Sequence, residues 1–177
     1  MNRLVSILLL LILSTASHAE LVGQTLPNFD FRGTNGKVIK LEDLKASSPT
    51  GVVMLTFWCT SCGSCRKTER YLRDLSLKYK DQATIVAIAS SRRDDKKDVK
   101  KYLAKKRLNL KVILDPSSQL GHHLGVKKTT TTVLIDKQGK IRYLGTLKKK
   151  KKLYAEESLQ AVLAARAVPE PVGPAHG

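Results

Sequence analysis

Three cysteines fall within the stretch Cys59-Thr60-Ser61-Cys62-Gly63-Ser64-Cys65. An apolar run, Val52 to Leu55, lies just ahead of it, and helical spacing at Tyr71, Leu72, Leu75 and Tyr79 follows. A strand that ends in Phe57-Trp58 and opens into a Cys-x-x-Cys helix start suits dithiol–disulfide chemistry. Cys62 and Cys65 would then lie one helical turn apart, close enough to bridge. Capping the helix, Cys62 meets unpaired N–H groups that favour its thiolate and draw its pKa below the ordinary ~8.5. Cys65, one turn in, is shielded and is expected to resolve the mixed disulfide. A zinc knuckle is the lesser alternative, because no second Cys-x-x-Cys pair stands elsewhere in the chain.

The elements that must position these sulfurs follow from pattern. Residues 27–31 and 37–41 read as a hairpin turning at Gly33 to Gly36, with a brief helical turn at 41–44. Residues 51–58 and 83–90 are continuous rather than alternating in hydrophobicity, as strands buried on both faces are. The helix that begins at Gly63 runs to about residue 80. Residues 94–107 form an amphipathic helix with Val99 and Leu103 on one side and lysines elsewhere. A strand over 110–114 stops at Asp115-Pro116, which reads as a terminator rather than an acid catalyst. A short helix over 117–124 stops at Gly125 and carries His122 and His123, expected to be exposed or bonded at the helix end, with one of them reaching the cysteine site as the lesser alternative. A hairpin over 132–136 and 140–145 and a helix over 153–168 complete the domain. The tail 169–177, rich in Pro and Gly, is expected to be mobile. This order predicts an α/β fold: one mixed central sheet with helices on both faces and an N-terminal hairpin extension.

Residues 1–19 read as a signal peptide, with Arg3, the apolar run 4–13 and a small-residue end at Ser17-His18-Ala19. The apolar run is short of the ~20 residues of a comfortable span, so cleavage after Ala19 is favoured over a retained membrane anchor. The domain, 20–168, is then expected in a periplasm or outside the cell, where a reactive dithiol meets disulfides. Cysteines this clustered cannot staple distant loops, so stability must come from an ordinary core. The net charge is +17, concentrated in 92–107 and in the run 148–152. Such a surface speeds encounter with acidic proteins or an anionic membrane surface. Nucleic acid is not expected as a partner, because no aromatic residues interleave with the charge in a binding motif. No cofactor is expected.

Several segments together resemble the thioredoxin superfamily, specifically its exported redoxin branch of TlpA- and ResA-like proteins. They are Leu26-Pro27-Asn28-Phe29, residues 36–41 with Asp43-Leu44, Phe57-Trp58, residues 62–67, Leu124-Gly125-Val126, residues 131–136 and Gly139-Lys140-Ile141. The resemblance covers 21–166 and implies a thioredoxin-like fold and a thiol–disulfide oxidoreductase acting on protein thiols and disulfides, with a membrane electron donor as a possible partner. It makes Cys62 and Cys65 the catalytic pair and redox-active disulfide, and assigns Trp58, Thr129 and Thr130 to substrate binding. The chain departs from the family where a cis-proline is usual: Thr130 stands there, and a trans loop at Thr129-Thr130 is expected, since a non-proline cis bond costs ~3–4 kcal/mol. Ser61 replaces a frequent Trp, Arg70 a helix-kinking proline, Thr56 a buried acid and Thr68 a frequent Glu, with Glu69 beside it.

Cys59 stands where the family commonly has alanine, and three placements are open. It can be a small buried residue, a third redox thiol exchanging with Cys62, or the completion of a Cys59, Cys62, Cys65 cluster for a soft metal such as Cu(I). The last makes a Cu(I)-binding, copper-chaperone-like protein the main alternative function. A peroxiredoxin-type peroxidase ranks below it, because Cys59 occupies the position of the Thr that such enzymes set three residues before the peroxidatic cysteine.

Overall fold

The computed structural model describes residues 18–91 and 93–174. The expected signal peptide therefore lies outside the described residues, except for His18 and Ala19 in the short helix α1, His18–Leu21. The remaining elements are β1 (Asp30–Gly33), β2 (Val38–Lys40), α2 (Leu41–Ala46), β3 (Val52–Trp58), α3 (Gly63–Lys78), β4 (Ala83–Ala89), α4 (Lys96–Lys106), β5 (Val112–Leu114), α5 (Gln119–His123), β6 (Thr131–Ile135), β7 (Ile141–Thr146) and α6 (Tyr154–Leu163). No helix among the described residues is long and apolar enough to cross a membrane.

The strands form one seven-stranded sheet in the order β2-β1-β5-β4-β3-β6-β7. Parallel pairing joins β3 to β4 and β4 to β5, and antiparallel pairing joins β6 to β3 and β7 to β6. The N-terminal hairpin does more than extend the fold: Arg32 and Gly33 of β1 pair with Leu114 and Ile113 of β5, making it one side of the sheet. Every residue of β3 and β4 is buried, which is why both read as unbroken apolar runs. Their side chains alternate between two cores. Met54, Trp58, Ile85 and Ala87 pack with Leu72 and Leu75 of α3 and Leu159 of α6. Val53, Leu55, Phe57 and Ile88 pack with Phe31, Leu44, Leu120 and Leu124 on the opposite face.

The first core fixes α3 and hence the cysteines. Buried Glu156 of α6 accepts hydrogen bonds from the Tyr71 and Tyr79 hydroxyls and from Lys78 of α3, at 2.8, 3.2 and 2.7 Å. Burial opposes ionisation of Glu156, yet Lys78 and Tyr71 hold its pKa below the usual carboxylate value. Oriented donors thus lock the two helices together in addition to apolar contact.

Two expectations at the C-terminus are corrected. Helix α6 ends at Leu163 rather than 168, closed by Ala165 N–H to Val162 O and Arg166 N–H to Ala161 O with Ala165 at φ 52°. The tail expected to be mobile instead runs along β7 over 171–174, where Leu144 N–H donates to Pro171 O, Gly173 N–H to Leu144 O and Thr146 N–H to Pro174 O. It covers the edge of β7, a row of backbone groups that otherwise faces solvent. Its glycine has a steric cause: a Cβ on Gly173 would lie 2.2 Å from the Tyr143 hydroxyl, and one on Gly145 would lie 2.5 Å from Gly173 Cα. Gly173→Ala is therefore expected to release the tail, making the segment after residue 168 accessible to limited proteolysis while the far-UV circular dichroism of the domain stays unchanged.

Candidate active site

β3 delivers the chain to the sheet edge at Trp58, and the turn 59–62 carries it into α3. Cys62 N–H bonds to Cys59 O at 3.5 Å across this turn. Asp94, a buried residue just ahead of α4, accepts the Thr60 N–H and the Thr60 hydroxyl, so a carboxylate pins the loop from outside. Next in sequence, Asp95 caps α4 through Asp98 N–H at 2.8 Å. The sequence reading missed Asp94. An Asp-Asp pair before a helix signals a cap, and nothing local shows that one of the two faces a loop 34 residues away.

Cys62 is the N-cap of α3, and its sulfur accepts the Cys65 N–H at 3.4 Å. The Ser64 hydroxyl lies 2.9 Å and the Thr129 hydroxyl 2.8 Å from the same sulfur. Burial opposes ionisation of Cys62, but hydrogen bonds from Ser64, Thr129 and Cys65 outweigh it and lower the thiol to about 6. Cys65 is fully buried. Burial pushes its thiol far up, and the neighbouring Cys62 adds to the rise. Cys59 is partly exposed, and its pKa is also raised, by burial first and then by Cys62 and Asp94, against a hydrogen bond with Ser61. All three sulfurs lie within 4.8 Å of one another.

Trp58 is buried in the same core as Cys65 and meets the Tyr102 ring edge-on, with centroids 5.4 Å apart. Its Nε1 is buried without a hydrogen-bond partner. It also borders a cleft of about 270 Å³ that takes in Phe57, Cys59, Ser91, His122, Lys127 and Thr129. His122 thus reaches the rim beside Cys59, whereas His123 stands edge-on to Phe29 at 5.4 Å, away from the sulfurs.

The peptide before Thr130 is trans, as expected from the missing proline. Thr130, assigned to substrate by the resemblance, is buried; its N–H donates to Phe57 O at 2.7 Å and its carbonyl accepts from Leu147 N–H at 2.9 Å. Its backbone is committed within the fold, and both threonines line the hollow that holds Cys62, with Thr129 the one whose hydroxyl meets the sulfur. The positions that lack the family's acids are accounted for. Buried Thr56 bonds to Thr132 at 2.9 Å, Thr68 donates to the Ser64 and Cys65 carbonyls, and buried Glu69 accepts from Tyr102 at 2.9 Å. Asp115 accepts the Gln119 and Leu120 N–H groups, a helix cap and not an acid poised over the cysteines.

Such an arrangement presents one ionised sulfur beside a shielded one. Because hydroxyl donors stabilise the thiolate, alkylation of Cys62 is expected to rise with pH through about 6 and to level off above it. Removing one donor in Thr129→Val should move that midpoint upward by roughly one unit, since a hydrogen bond to a charged group is worth about 1.5–3 kcal/mol and one unit about 1.4. Iodoacetamide rates against pH, read by mass spectrometry at Cys62, measure both.

A sequence profile of the Redoxin family matches residues 21–163. The chain is 34% identical over 121 residues to the thiol-disulfide oxidoreductase ResA of Bacillus thuringiensis (strain Al Hakam), covering 68% of this chain and 66% of that relative. The matched part is thus just under two thirds of that relative's own length. Among solved structures, a Chlorobium tepidum protein designated DsbE, a thiol:disulfide interchange protein, superposes with a TM-score of 0.68 at 32% identity, over 80% of this chain and 97% of that one. An uncharacterized conserved protein of Geobacillus kaustophilus superposes with a TM-score of 0.75 at 22% identity, over 86% and 87% of the two chains. That last likeness concerns the fold, which is thioredoxin-like.

Proposed function

The chain belongs to the Redoxin family, and from that premise we propose that it is an exported thiol–disulfide oxidoreductase in which Cys62 is the nucleophile and Cys65 the resolving thiol. The observation that carries this reading is the lowered pKa of Cys62, capping α3 between two hydroxyls, with the Cys65 sulfur within 4.8 Å. The Cys62 thiolate attacks a substrate disulfide, one substrate sulfur leaves as thiolate, and a mixed disulfide forms. Cys65 then attacks the Cys62 sulfur, releasing the second substrate thiol and closing the intramolecular bond. Gly63 has open space where a Cβ would stand, and Ser64 is exposed, so the helix start offers little steric barrier to a protein substrate. The relatives' designations as a thiol-disulfide oxidoreductase and an interchange protein support the same chemistry.

A basic hollow beside the turn supports acidic partners. Arg66, Arg93, Lys101, Lys105 and Lys106 line it next to Thr60 and Ser61, with Asp98 the one acid of the lining. Export is supported by the leader-like composition of residues 1–19. Cys62→Ser is expected to abolish turnover of a disulfide-linked reporter peptide, at least about a thousandfold, because the nucleophile itself is lost. Turnover within tenfold of the parent protein would remove this reading.

The three clustered sulfurs favour one second reading, a site for Cu(I), since soft thiolates select that ion, while Lys127 and Lys128 on the same hollow set positive charge against it. On this reading, anaerobically purified protein holds about one copper per chain, and replacing all three cysteines by serine removes it. Copper analysis by plasma mass spectrometry decides the point.

A further inference from the structure

The segment from Cys59 to Cys65 contains two overlapping Cys-x-x-Cys spacings that share Cys62. One spans the first turn of α3. The other spans the turn closed by Cys62 N–H to Cys59 O. A hydrogen-bonded turn holds its end Cα atoms within about 7 Å, the range a disulfide requires. With all three sulfurs mutually within 4.8 Å, Cys62 has a bonding partner on either side. The two partners occupy different surroundings. Cys65 is fully buried, whereas Cys59 is partly exposed and borders both the cleft with His122 and the hollow with Lys127 and Lys128.

We propose that Cys59 is a third redox-active thiol that resolves the Cys62 mixed disulfide at the protein surface and then passes the bond inward to Cys65. The proposal rests on the exchange reading above and deepens it. In the first step the Cys59 thiolate attacks the Cys62 sulfur: the Cys59–Cys62 bond forms, the bond from Cys62 to the substrate breaks, and the substrate sulfur leaves as a thiolate. The proton lost by Cys59 goes to that thiolate through solvent. In the second step the Cys65 thiolate attacks the Cys62 sulfur, Cys62–Cys65 forms, and Cys59 leaves and regains a proton. The substrate disulfide is the only oxidant, and its two electrons come from the pair that ends as the disulfide.

Two observations favour the outer route. The acids that could take a proton from Cys65 are occupied or replaced: Glu69 is held by Tyr102, Thr56 by Thr132, and Thr68 by the helix backbone. Cys59 needs no such buried relay, because solvent reaches it. Once Cys62 is consumed in a mixed disulfide, its influence is lifted from both neighbouring thiols, and what remains is burial, which is complete at Cys65 and only partial at Cys59.

The test treats the parent protein, Cys65→Ala, Cys59→Ala and the double variant with one equivalent of oxidised glutathione. Each is quenched in acid and denatured, and alkylation of the remaining thiols is mapped by fragment mass spectrometry. Cys65→Ala is expected to shed glutathione and form Cys59–Cys62, whereas the double variant is expected to hold a stable glutathione adduct on Cys62. The parent, whose folding is not in question, should show a population alkylated at Cys65 alone before one alkylated at Cys59 alone. A stable adduct on Cys62 in Cys65→Ala, with only Cys62–Cys65 pairing in the parent, would overturn the proposal and leave the exchange reading standing. Absence of any adduct on Cys62 in the double variant would remove both.

Discussion

The Cys62 sulfur does two jobs with one set of hydrogen bonds. As the N-cap of α3 it satisfies a helix N–H that would otherwise lack a partner, and the same N–H, with the Ser64 and Thr129 hydroxyls, stabilises negative charge on it. Burial pulls the other way, and its effect is the largest single one acting on this thiol. The donors prevail only in combination. The chemistry therefore depends on three elements meeting at one atom: the end of β3, the start of α3 and the loop before β6. The two cores, the clasp of α3 to α6 through Glu156 and the pinning of Thr60 by Asp94 are what hold those elements in place.

The loop before β6 has a local cost. Thr130 sits at φ 67°, a left-handed conformation that a β-branched residue rarely adopts, and such strain is worth about 1–3 kcal/mol. Two backbone hydrogen bonds, to Phe57 and from Leu147, are each worth about 0.5–1.5 kcal/mol and offset much of it. What the strain secures is position. With Thr130 tied to Phe57 near the end of β3 and to the chain after β7, the preceding Thr129 is held with its hydroxyl 2.8 Å from the Cys62 sulfur. A proline would give up the N–H that bonds Phe57, and its ring would restrict φ to about −65°. The threonine loop is therefore a different solution to the same positioning problem, one in which a side-chain hydroxyl approaches the sulfur.

The parts of this design that were legible in the sequence are those written in local pattern. Unbroken apolar runs marked β3 and β4, the Cys-x-x-Cys after an aromatic marked the start of α3, and the absence of proline at 130 pointed to a trans peptide, as found. The parts that were not legible depend on contacts between distant residues. Asp94 meets Thr60 across 34 positions, β1 joins the sheet through β5, and residues 171–174 lie on β7 because two glycines let the backbones approach. Composition misled at the tail. Pro and Gly suggested motion, whereas Gly173 is there because a side chain at that point would meet Tyr143. Sequence treats Thr129 and Thr130 alike, whereas in the fold both line the hollow, Thr129 meeting the sulfur through its hydroxyl and Thr130 spending its backbone on Phe57 and Leu147.

Burial of Cys65 creates a difficulty that the site must solve. A thiol resolves a mixed disulfide as its thiolate, and at Cys65 burial above all, then Cys62, opposes ionisation and outweighs the hydrogen bonds with the Cys59 backbone and Thr129 that favour it. Sulfur exchange does not require the buried thiol to act first. A thiol that solvent can deprotonate can open the mixed disulfide, and the deeper one can follow when the substrate has gone and time is less limiting. Placing Cys59 at the outer end of a turn, within reach of Cys62 and beside two clefts, supplies that option without a buried base. The Cys59 sulfur lies within 4.8 Å of that of Cys62, a proximity that only a thiol at position 59 can turn to exchange.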